Sequence, residues 1–277
     1  MKMNINCKGK LIDISSPKVM GVLNLTPDSF YDGNKFDNEK KILNQVEKML
    51  NDGATFIDIG AYSSRPGATH ISEDQEKSRI IGTVELLITE FPDANLSIDT
   101  FRSSIADECL NAGASIINDI TASEYDSEIL KIAHKHNAPY VMMHMKGMPQ
   151  DMMKQNKYDN LIKDIIYYFS KKIEAARTAK VNDIIIDPGF GFSKNIDQNY
   201  DILKNLGLLK SLDSPILVGL SRKSMIYKLL KTTPELALNG TTSLNTIALL
   251  NGAKILRVHD VKEAMECIKI TNQFNKQ

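Results

Sequence analysis

Polar residues stand where several short apolar runs of this sequence end. The run "IIID" ends on Asp187, and Asp99 and Asn118 occupy similar places in "LSIDT" and "SIINDI". Capping of a following helix or turn explains each of these residues alone, but a buried carboxylate also needs a partner for its charge. The complete set is Asn24, Asp99, Asn118, Asp187, Lys223, Arg257 and His259. So many polar strand ends in one chain predict a functional site.

The donors and acceptors of this set indicate what it binds. Asp99, Asn118 and Asp187 offer acceptors, and the Asn118 amide also donates. Such a set suits a flat heterocycle with an N–H/NH2 edge, of the guanine or pterin kind. Lys223 can donate to the ring from another side, and the planar guanidinium of Arg257 can stack on a ring or hold a phosphate. The pattern predicts a planar ring that carries a phosphate group.

These residues need a scaffold that brings distant strand ends together. Eight apolar runs alternate with longer amphipathic stretches, which is typical of an α/β (β/α)8 TIM barrel of about 250 residues. The runs are "KVMGVLN", "TFIDIG", "LSIDT", "SIINDI", "PYVMMH", "DIIID", "ILVGLS" and "KILRVH". In such barrels the loops after the strands build the active site. The strand-end residues are therefore expected to converge at one mouth.

The connecting segments are predicted to be outer helices with apolar packing faces. One covers Lys40–Asn51, a second begins at the capping box Ser72–Gln75, and a third carries an apolar stripe from Leu161 to Ile173. Residues 4–15 are expected to form a short hairpin that closes the bottom of the barrel. No linker divides the sequence, so we predict a single domain over residues 1–277.

Two further loops favour a phosphate site. "SRKS" (Ser221–Ser224) and "RVHD" (Arg257–Asp260) each precede a predicted helix, and helix N-termini with nearby cations attract anions. Met142, Met143 and Met145 offer soft contacts to a flat ligand, although buried methionines more often belong to the core.

Composition excludes several classes of function. Lysine plus arginine and aspartate plus glutamate both number 34, and this balance argues against binding driven by nucleic-acid phosphates. The three cysteines are far apart, as expected for the reducing cytoplasm. The start of the chain lacks the apolar region of a signal peptide, and no apolar run is long enough to span a membrane.

An ordered series of motifs resembles the dihydropteroate synthases. The match extends from about Asn4 to the C-terminus, with all eight strand-end segments in register. The motifs are "MGVLNLTPDSFYDG", "SSRPGA", "SIDT", "INDI", "MMHMKGMPQDM", "DPGFGFSK", "GLSRKS" and "RVHDV". The resemblance implies a (β/α)8 transferase that joins p-aminobenzoate to 6-hydroxymethyl-7,8-dihydropterin diphosphate, releasing pyrophosphate and forming dihydropteroate. It also implies a dissociative, SN1-like displacement and a homodimer formed through late helices.

The resemblance further implies roles for individual residues. Asp99, Asn118, Asp187 and Lys223 correspond to residues that bind the pterin ring, and Met143 and Arg257 to contacts on its faces. Asn24, Arg257 and His259 resemble a diphosphate site, in which Asn24 and the diphosphate oxygens hold Mg2+. The residues that correspond to the aminobenzoate pocket and its two loops are Phe30, Asp32, Ser64, Arg65, Pro66, Phe192 and Ser224.

One departure and two alternatives accompany this interpretation. Tyr62 stands where many family members carry Glu or Gln, and Ser64 where Thr is common, so the aminobenzoate affinity could differ. The first alternative is a methyltetrahydrofolate:corrinoid methyltransferase, and the second is a pterin-binding paralogue without activity. Asp28 is interpreted as a turn residue, and the roles of His144 and Arg222 are left open between packing and function.

Overall fold

Ten strands and nine α-helices occur in the part of the chain that the structure describes. The computed structural model describes residues 4–25, 35–62, 71–147 and 155–276. The strands are β1 Asn4–Cys7, β2 Lys10–Asp13, β3 Lys18–Asn24, β4 Phe56–Gly60, β5 Asn95–Asp99, β6 Ile116–Asp119, β7 Tyr140–Met143, β8 Ile184–Asp187, β9 Leu217–Val218 and β10 Ile255–Val258. The α-helices are α1 Lys35–Asn51, α2 Glu73–Glu90, α3 Ser103–Asn111, α4 Ile129–Lys135, α5 Leu161–Thr178, α6 Ile196–Lys204, α7 Ser224–Tyr227, α8 Leu238–Leu250 and α9 Val261–Phe274. A 3-10 helix covers Leu206–Leu212.

The eight strands from β3 to β10 form a parallel barrel. Their order is β8-β7-β6-β5-β4-β3-β10-β9, and every pair is parallel. A parallel bridge between Ile186 and Ile216 joins the two ends of this order. Helices connect the successive strands, so the predicted (β/α)8 barrel is confirmed.

Alternate residues of each strand point to opposite faces, and this alternation divides the core in two. Ile57, Leu96 and Ile117 belong to the large cluster between barrel and helices. A smaller cluster fills the barrel at the amino ends of the strands. It comprises Met20, Phe56, Ile116, Val141, Ile185, Leu217 and Ile255 together with Ile5, Cys7 and Ile14. The inward-facing polar side chains therefore lie at the opposite end of the barrel, where the strands have their carboxyl ends.

The hairpin formed by β1 and β2 closes the amino end of the barrel, as the sequence predicts. Ile5 and Cys7 pack into the inner cluster, and both are buried. The backbone N–H of Asn6 donates to Asp183 Oδ2 at 2.8 Å, just before β8. The hairpin thus combines apolar packing with a hydrogen bond to the barrel rim.

Local signals agree with several element ends, whereas α1 begins at Lys35 instead of the predicted Lys40. Ser72 and Gln75 form the predicted capping box of α2. Gly113 and Gly252 adopt φ values of +110° and +101° just after α3 and α8, a conformation that favours glycine. The run "ILVGLS" differs from expectation, because β9 contains two residues and the N–H of Lys223 then closes a turn onto the Leu220 carbonyl at 3.2 Å.

Cys7, Cys109 and Cys267 are free and buried. Burial raises the pKa of the Cys7 thiol to about 12, which keeps it protonated. Among the described residues, no helix has both the length and the apolar character needed to cross a membrane.

Candidate active site

The four neighbouring strands β3 to β6 place residues at or next to their carboxyl ends side by side. Asn24 is the register partner of Gly60, Gly60 of Asp99, and Asp99 of Asn118. Asp99 and Asn118 are buried, whereas Asn24 is half-buried. Gly60 leaves room there, since a Cβ at this position would lie 3.3 Å from the Asp99 Cβ. The parallel register therefore brings together residues that are far apart in sequence.

The guanidinium of Arg257 lies between two carboxylates at this end of the barrel. Its Nε donates to Asp58 Oδ2 at 2.6 Å, and its Nη2 donates to Asp99 Oδ2 at 2.7 Å. Burial opposes the charge on Arg257, but Asp58 and Asp99 outweigh it and raise its pKa. For Asp99, burial also opposes the charged form and raises the pKa to about 7, while the positive charge of Arg257 acts to lower it. Asp58 and Asp99 therefore fix the orientation of the Arg257 guanidinium.

Asp58 is a site residue that the sequence analysis missed. It is fully buried in the middle of β4, and its Oδ2 also accepts a hydrogen bond from Asn118 Nδ2 at 3.1 Å. Asp58 Oδ1 is buried and has no hydrogen-bond partner. The signal was present in the sequence, because "FIDIG" carries a carboxylate at an inward position of an otherwise apolar strand.

Asp187 ends β8 at the same mouth of the barrel. Its Oδ1 accepts a hydrogen bond from the Gly189 N–H at 2.8 Å. Burial raises the pKa of Asp187, and Lys223, the Gly189 N–H and Arg257 oppose that rise. The carboxylate therefore has protein partners on one side and can accept further hydrogen bonds from a ligand.

Lys223 lies at the N-cap of α7 and is half-buried. Its Nζ donates to the carbonyl of Phe190 and lies 4.9 Å from the ring centroid of Phe192. A Cβ at Gly219 would lie 3.7 Å from the same Nζ, so the ammonium lies close to the end of β9. Burial lowers the pKa of Lys223 to about 8, against the attraction of Asp187.

An apolar wall flanks these polar groups. A third buried cluster contains Tyr62, Phe101, Ile120, Met143 and Met145, with Phe192 and Ile71 packed against it. Met142 instead belongs to the core between barrel and helices, so the core interpretation is correct for that methionine. This wall offers flat, soft contacts beside the polar groups.

Tyr62, the departure noted in the sequence, is buried in this wall. Its ring meets that of Phe101 edge to face, with centroids 5.0 Å apart and planes at 81°. The guanidinium of Arg102 lies 5.9 Å from the Tyr62 ring centroid. Tyr62 therefore adds apolar contact area where a Glu would add a charge.

The predicted anion-binding loops also meet at this mouth. The backbone N–H of exposed His259 donates to Ser221 Oγ at 3.3 Å, and Ser224 is the first residue of α7. Arg222, left open above, donates to both carboxylate oxygens of Asp260, from Nε at 2.9 Å and from Nη2 at 2.7 Å. The loops after β9 and β10 are thereby tied to each other.

His144, also left open, has a packing role. Its side chain is buried and contacts the rings of Tyr168 and Phe169, with centroids 4.8 and 6.3 Å away. Burial lowers its pKa well below the usual range, so the imidazole is neutral. Several further predictions lie outside the described residues, namely those for Asp28, Phe30, Asp32, Ser64, Arg65 and Pro66.

Asn24 is the residue that the sequence analysis associated with a magnesium ion, and it lies within the described residues. In the described ranges no group of three or more His, Cys, Asp or Glu side chains could hold a metal. Asn24 presents an amide, whose oxygen is the hard ligand that Mg2+ accepts. Since Mg2+ is usually bound by one or two protein groups plus substrate phosphates and water, this ligand set fits an ion that accompanies a diphosphate.

Two sequence comparisons find proteins that are similar to this chain. A family model described as pterin binding enzyme matches residues 20–259. The dihydropteroate synthase of Escherichia coli (strain K12) is 38% identical over 270 residues, which cover 97% of this chain and 95% of that protein.

Solved structures of dihydropteroate synthases are similar to this chain in both fold and sequence. A crystal structure of Yersinia pestis dihydropteroate synthase with a sulfonamide drug complex has a TM-score of 0.91 and 42% identity, covering 98% of this chain and 99% of that one. Xanthomonas albilineans dihydropteroate synthase with 4-aminobenzoic acid has a TM-score of 0.92 and 32% identity, covering 100% of both chains.

Proposed function

Because this chain belongs to the dihydropteroate synthases, a family of transferases, we propose that it joins p-aminobenzoate to 6-hydroxymethyl-7,8-dihydropterin diphosphate. The products are 7,8-dihydropteroate and pyrophosphate. The observation that carries the proposal is the buried polar group at the barrel mouth, in which Asp58 and Asp99 both bind Arg257. The proposal treats residues 1–277 as one catalytic domain in the cytoplasm, consistent with its free cysteines.

The pterin ring is assigned to the cluster of polar side chains at the barrel mouth. Asp187 and Asn118 bind its amino and amide edge, and Asp99 and Lys223 complete the hydrogen bonds to the ring. Met143 and Arg257 contact its faces. Supporting this assignment, Asp99, Asn118 and Asp187 are buried, and burial strengthens hydrogen bonds to a ligand that fills the site.

The diphosphate is assigned to Asn24, Arg257 and His259, and the aminobenzoate to the neighbouring loops. Phe192 and Ser224 represent the aminobenzoate pocket within the described residues. The others assigned to that pocket and its loops are Phe30, Asp32, Ser64, Arg65 and Pro66. Asn24 would hold Mg2+ together with substrate oxygens, and the bound ion would supply positive charge that stabilises the leaving pyrophosphate.

The protein's own contribution to the displacement is electrostatic and positional. We infer an SN1-like step, in which the bond from the methylene carbon to the diphosphate oxygen breaks before the aminobenzoate nitrogen attacks. Arg257 and His259 stabilise the departing diphosphate, while the carboxylates of Asp99 and Asp187 keep the ring in place. No residue of the chain needs to form a covalent bond with the substrate.

A turnover assay tests this function. The purified chain is supplied with the dihydropterin diphosphate, p-aminobenzoate and Mg2+, and pyrophosphate and dihydropteroate are both measured by mass. We expect equal amounts of the two products, and loss of both without Mg2+ or in Lys223→Ala. Lys228→Ala is the matched control, since Lys228 is an exposed lysine just after α7.

Two further measurements, a methyl-transfer assay and a pterin-binding assay, distinguish the two alternatives. A corrinoid methyltransferase would instead demethylate methyltetrahydrofolate in the presence of a corrinoid protein. A paralogue without activity would bind the pterin tightly and release no pyrophosphate. The names of the relatives favour the synthase over both.

A homodimer is proposed from exposed apolar side chains on the late helices. Ile247 and Leu250 of α8 and Ile270 and Phe274 of α9 are between 42% and 75% exposed, and a patch of this kind is typical of an interface. Light scattering on the wild type should give twice the mass of the chain, and Ile270→Glu should halve it. Tyr167→Glu, on exposed Tyr167 of α5, is the control that should remain dimeric.

A further inference from the structure

Lys194 is a lysine whose side chain is completely enclosed by the protein. It lies in the segment between β8 and α6, two residues before the helix begins, and it is 2% exposed. A lysine is almost never buried unless its charge is compensated. Its surroundings therefore have to supply several acceptors.

The acceptors are three backbone carbonyls from two different segments. Lys194 Nζ donates to Phe192 O at 2.9 Å, to Gly189 O at 3.0 Å and to His144 O at 3.2 Å. The ammonium form, which has three N–H groups, can donate to all three carbonyls at once. Burial lowers the pKa of Lys194 well below its ordinary value, and the nearby Asp187 carboxylate and the three carbonyl acceptors favour the charged form against that effect. The ammonium thus joins the end of β7 to the loop after β8.

The same loop contacts two residues that are assigned to the pterin. The Gly189 N–H donates to Asp187 Oδ1 at 2.8 Å, and the Phe190 carbonyl accepts from Lys223. Two lysines therefore bind successive carbonyls of this loop, one from within the core and one from the pocket. A change in the path of residues 188–193 would move the partners of both Asp187 and Lys223.

The backbone at Gly189 permits this close packing. Gly189 has a φ of +71°, and a Cβ there would lie 2.2 Å from the His144 carbonyl oxygen. That oxygen is one of the three acceptors of Lys194. The loop is consequently pressed against β7 at the point where the ammonium binds both.

We propose that Lys194 is a positioning residue for the pterin site: its ammonium fixes the loop 188–193 so that Asp187 and Lys223 are correctly oriented for the ring. The inference rests on the proposed function, because it assigns the ring to those two residues. Lys194 touches no substrate and acts through the carbonyls of Gly189 and Phe192.

The test compares Lys194→Met with the wild type. Wild-type turnover is measured first and tests the function itself. The dissociation constant of dihydropterin diphosphate is then measured by calorimetry on folded protein, together with kcat and both KM values. We expect Lys194→Met to raise the dissociation constant and the pterin KM about tenfold or more, because small displacements of binding groups have large effects. A purely structural role would reduce the folded fraction and leave the dissociation constant unchanged.

Two further variants make the result decisive. Lys254→Met is the matched control, since Lys254 Nζ donates to the Ser15 carbonyl at 2.6 Å at the opposite end of the barrel. It should leave pterin binding unchanged. If Lys194→Met does not fold, Lys194→Arg retains the charge but not the three-way geometry, and we expect its dissociation constant to rise about threefold or more. Wild-type pterin affinity in folded Lys194→Met or Lys194→Arg would overturn the proposal.

Discussion

Arg257 donates from Nε to Asp58 Oδ2 across 2.6 Å, although the two residues are 199 positions apart in the sequence. The same oxygen accepts from Asn118 Nδ2. Asp58 lies two residues before the end of β4, so it supports both side chains from within the barrel. One carboxylate thus orients a cation and an amide that are both assigned to the substrate.

Asp58→Asn should weaken both the fold and pterin binding. The change leaves Arg257 with Asp99 as its remaining carboxylate partner, and loss of one partner of a buried pair costs about 3 kcal/mol. Urea unfolding and pterin calorimetry measure the two effects. The control is Ser97→Ala in the neighbouring strand, because Ser97 Oγ is buried without a hydrogen-bond partner. If Asp58→Asn behaves like this control, Asp58 does not orient Arg257 and Asn118.

Asp187→Asn should reduce pterin affinity by about 1–3 kcal/mol, the usual cost of disturbing a charged hydrogen bond. The amide oxygen can still accept from the Gly189 N–H, so the loss should be confined to binding. Asp183→Asn is the matched control at the other end of the same strand, where the carboxylate accepts from the Asn6 N–H. Asp183→Asn should lower the free energy of unfolding and leave the pterin affinity unchanged. Unchanged affinity in Asp187→Asn would refute the assigned role.

Pterin affinity should fall as the pH rises through about 8. Burial lowers the pKa of Lys223 to about 8, so its ammonium is present below this pH and is lost above it. A neutral amine is a weaker donor to the ring. Binding measured from about pH 6.5 to 9.5 should show this decline in the wild type. In Lys223→Arg the guanidinium stays charged, so the decline should disappear even if the affinity is lower. If the decline persists in Lys223→Arg, a group other than Lys223 causes it.

The buried Glu76–Arg102 ion pair should contribute more to the free energy of unfolding than an exposed ion pair does. Glu76 accepts from Arg102 and, at 2.7 Å, from Thr100 Oγ1, and it is fully buried. Glu76→Ala leaves Arg102 with a buried charge, so the free energy of unfolding should fall by about 3–5 kcal/mol. Glu108→Ala removes the partner of exposed Lys77, and its cost should stay below about 1 kcal/mol. Equal effects in urea unfolding would contradict this expectation.

The hairpin of β1 and β2, which closes the amino end of the barrel, should contribute to stability and not to catalysis. Ile5 is 2% exposed and packs into the inner cluster, so Ile5→Ala should cost about 2–5 kcal/mol of unfolding free energy. Leu11, in the partner strand, is 68% exposed, and Leu11→Ala should be nearly neutral. The pterin dissociation constant should be unchanged in both variants. A weakened pterin site in folded Ile5→Ala would show that the two ends of the barrel are coupled.

The sequence by itself determined the elements and the residues at the strand ends. Alternating apolar runs and helical stripes specify the barrel, because period-2 and period-3.6 patterns are local properties of the chain. The capping box at Ser72 could also be identified in advance, because its two residues are three positions apart in the sequence. Asp99, Asn118 and Asp187 were identifiable because each charge or amide interrupts an apolar run near its carboxyl end.

Only the tertiary structure decided which groups those residues meet. Asp58 lies within a strand instead of at its end, and its importance follows from contacts to Asn118 and Arg257 on other strands. Lys194 resembles an ordinary loop lysine in the sequence, yet it binds carbonyls from two segments. Such contacts depend on barrel closure and strand register, which join residues far apart in the chain and leave no local pattern from which the partners could be read.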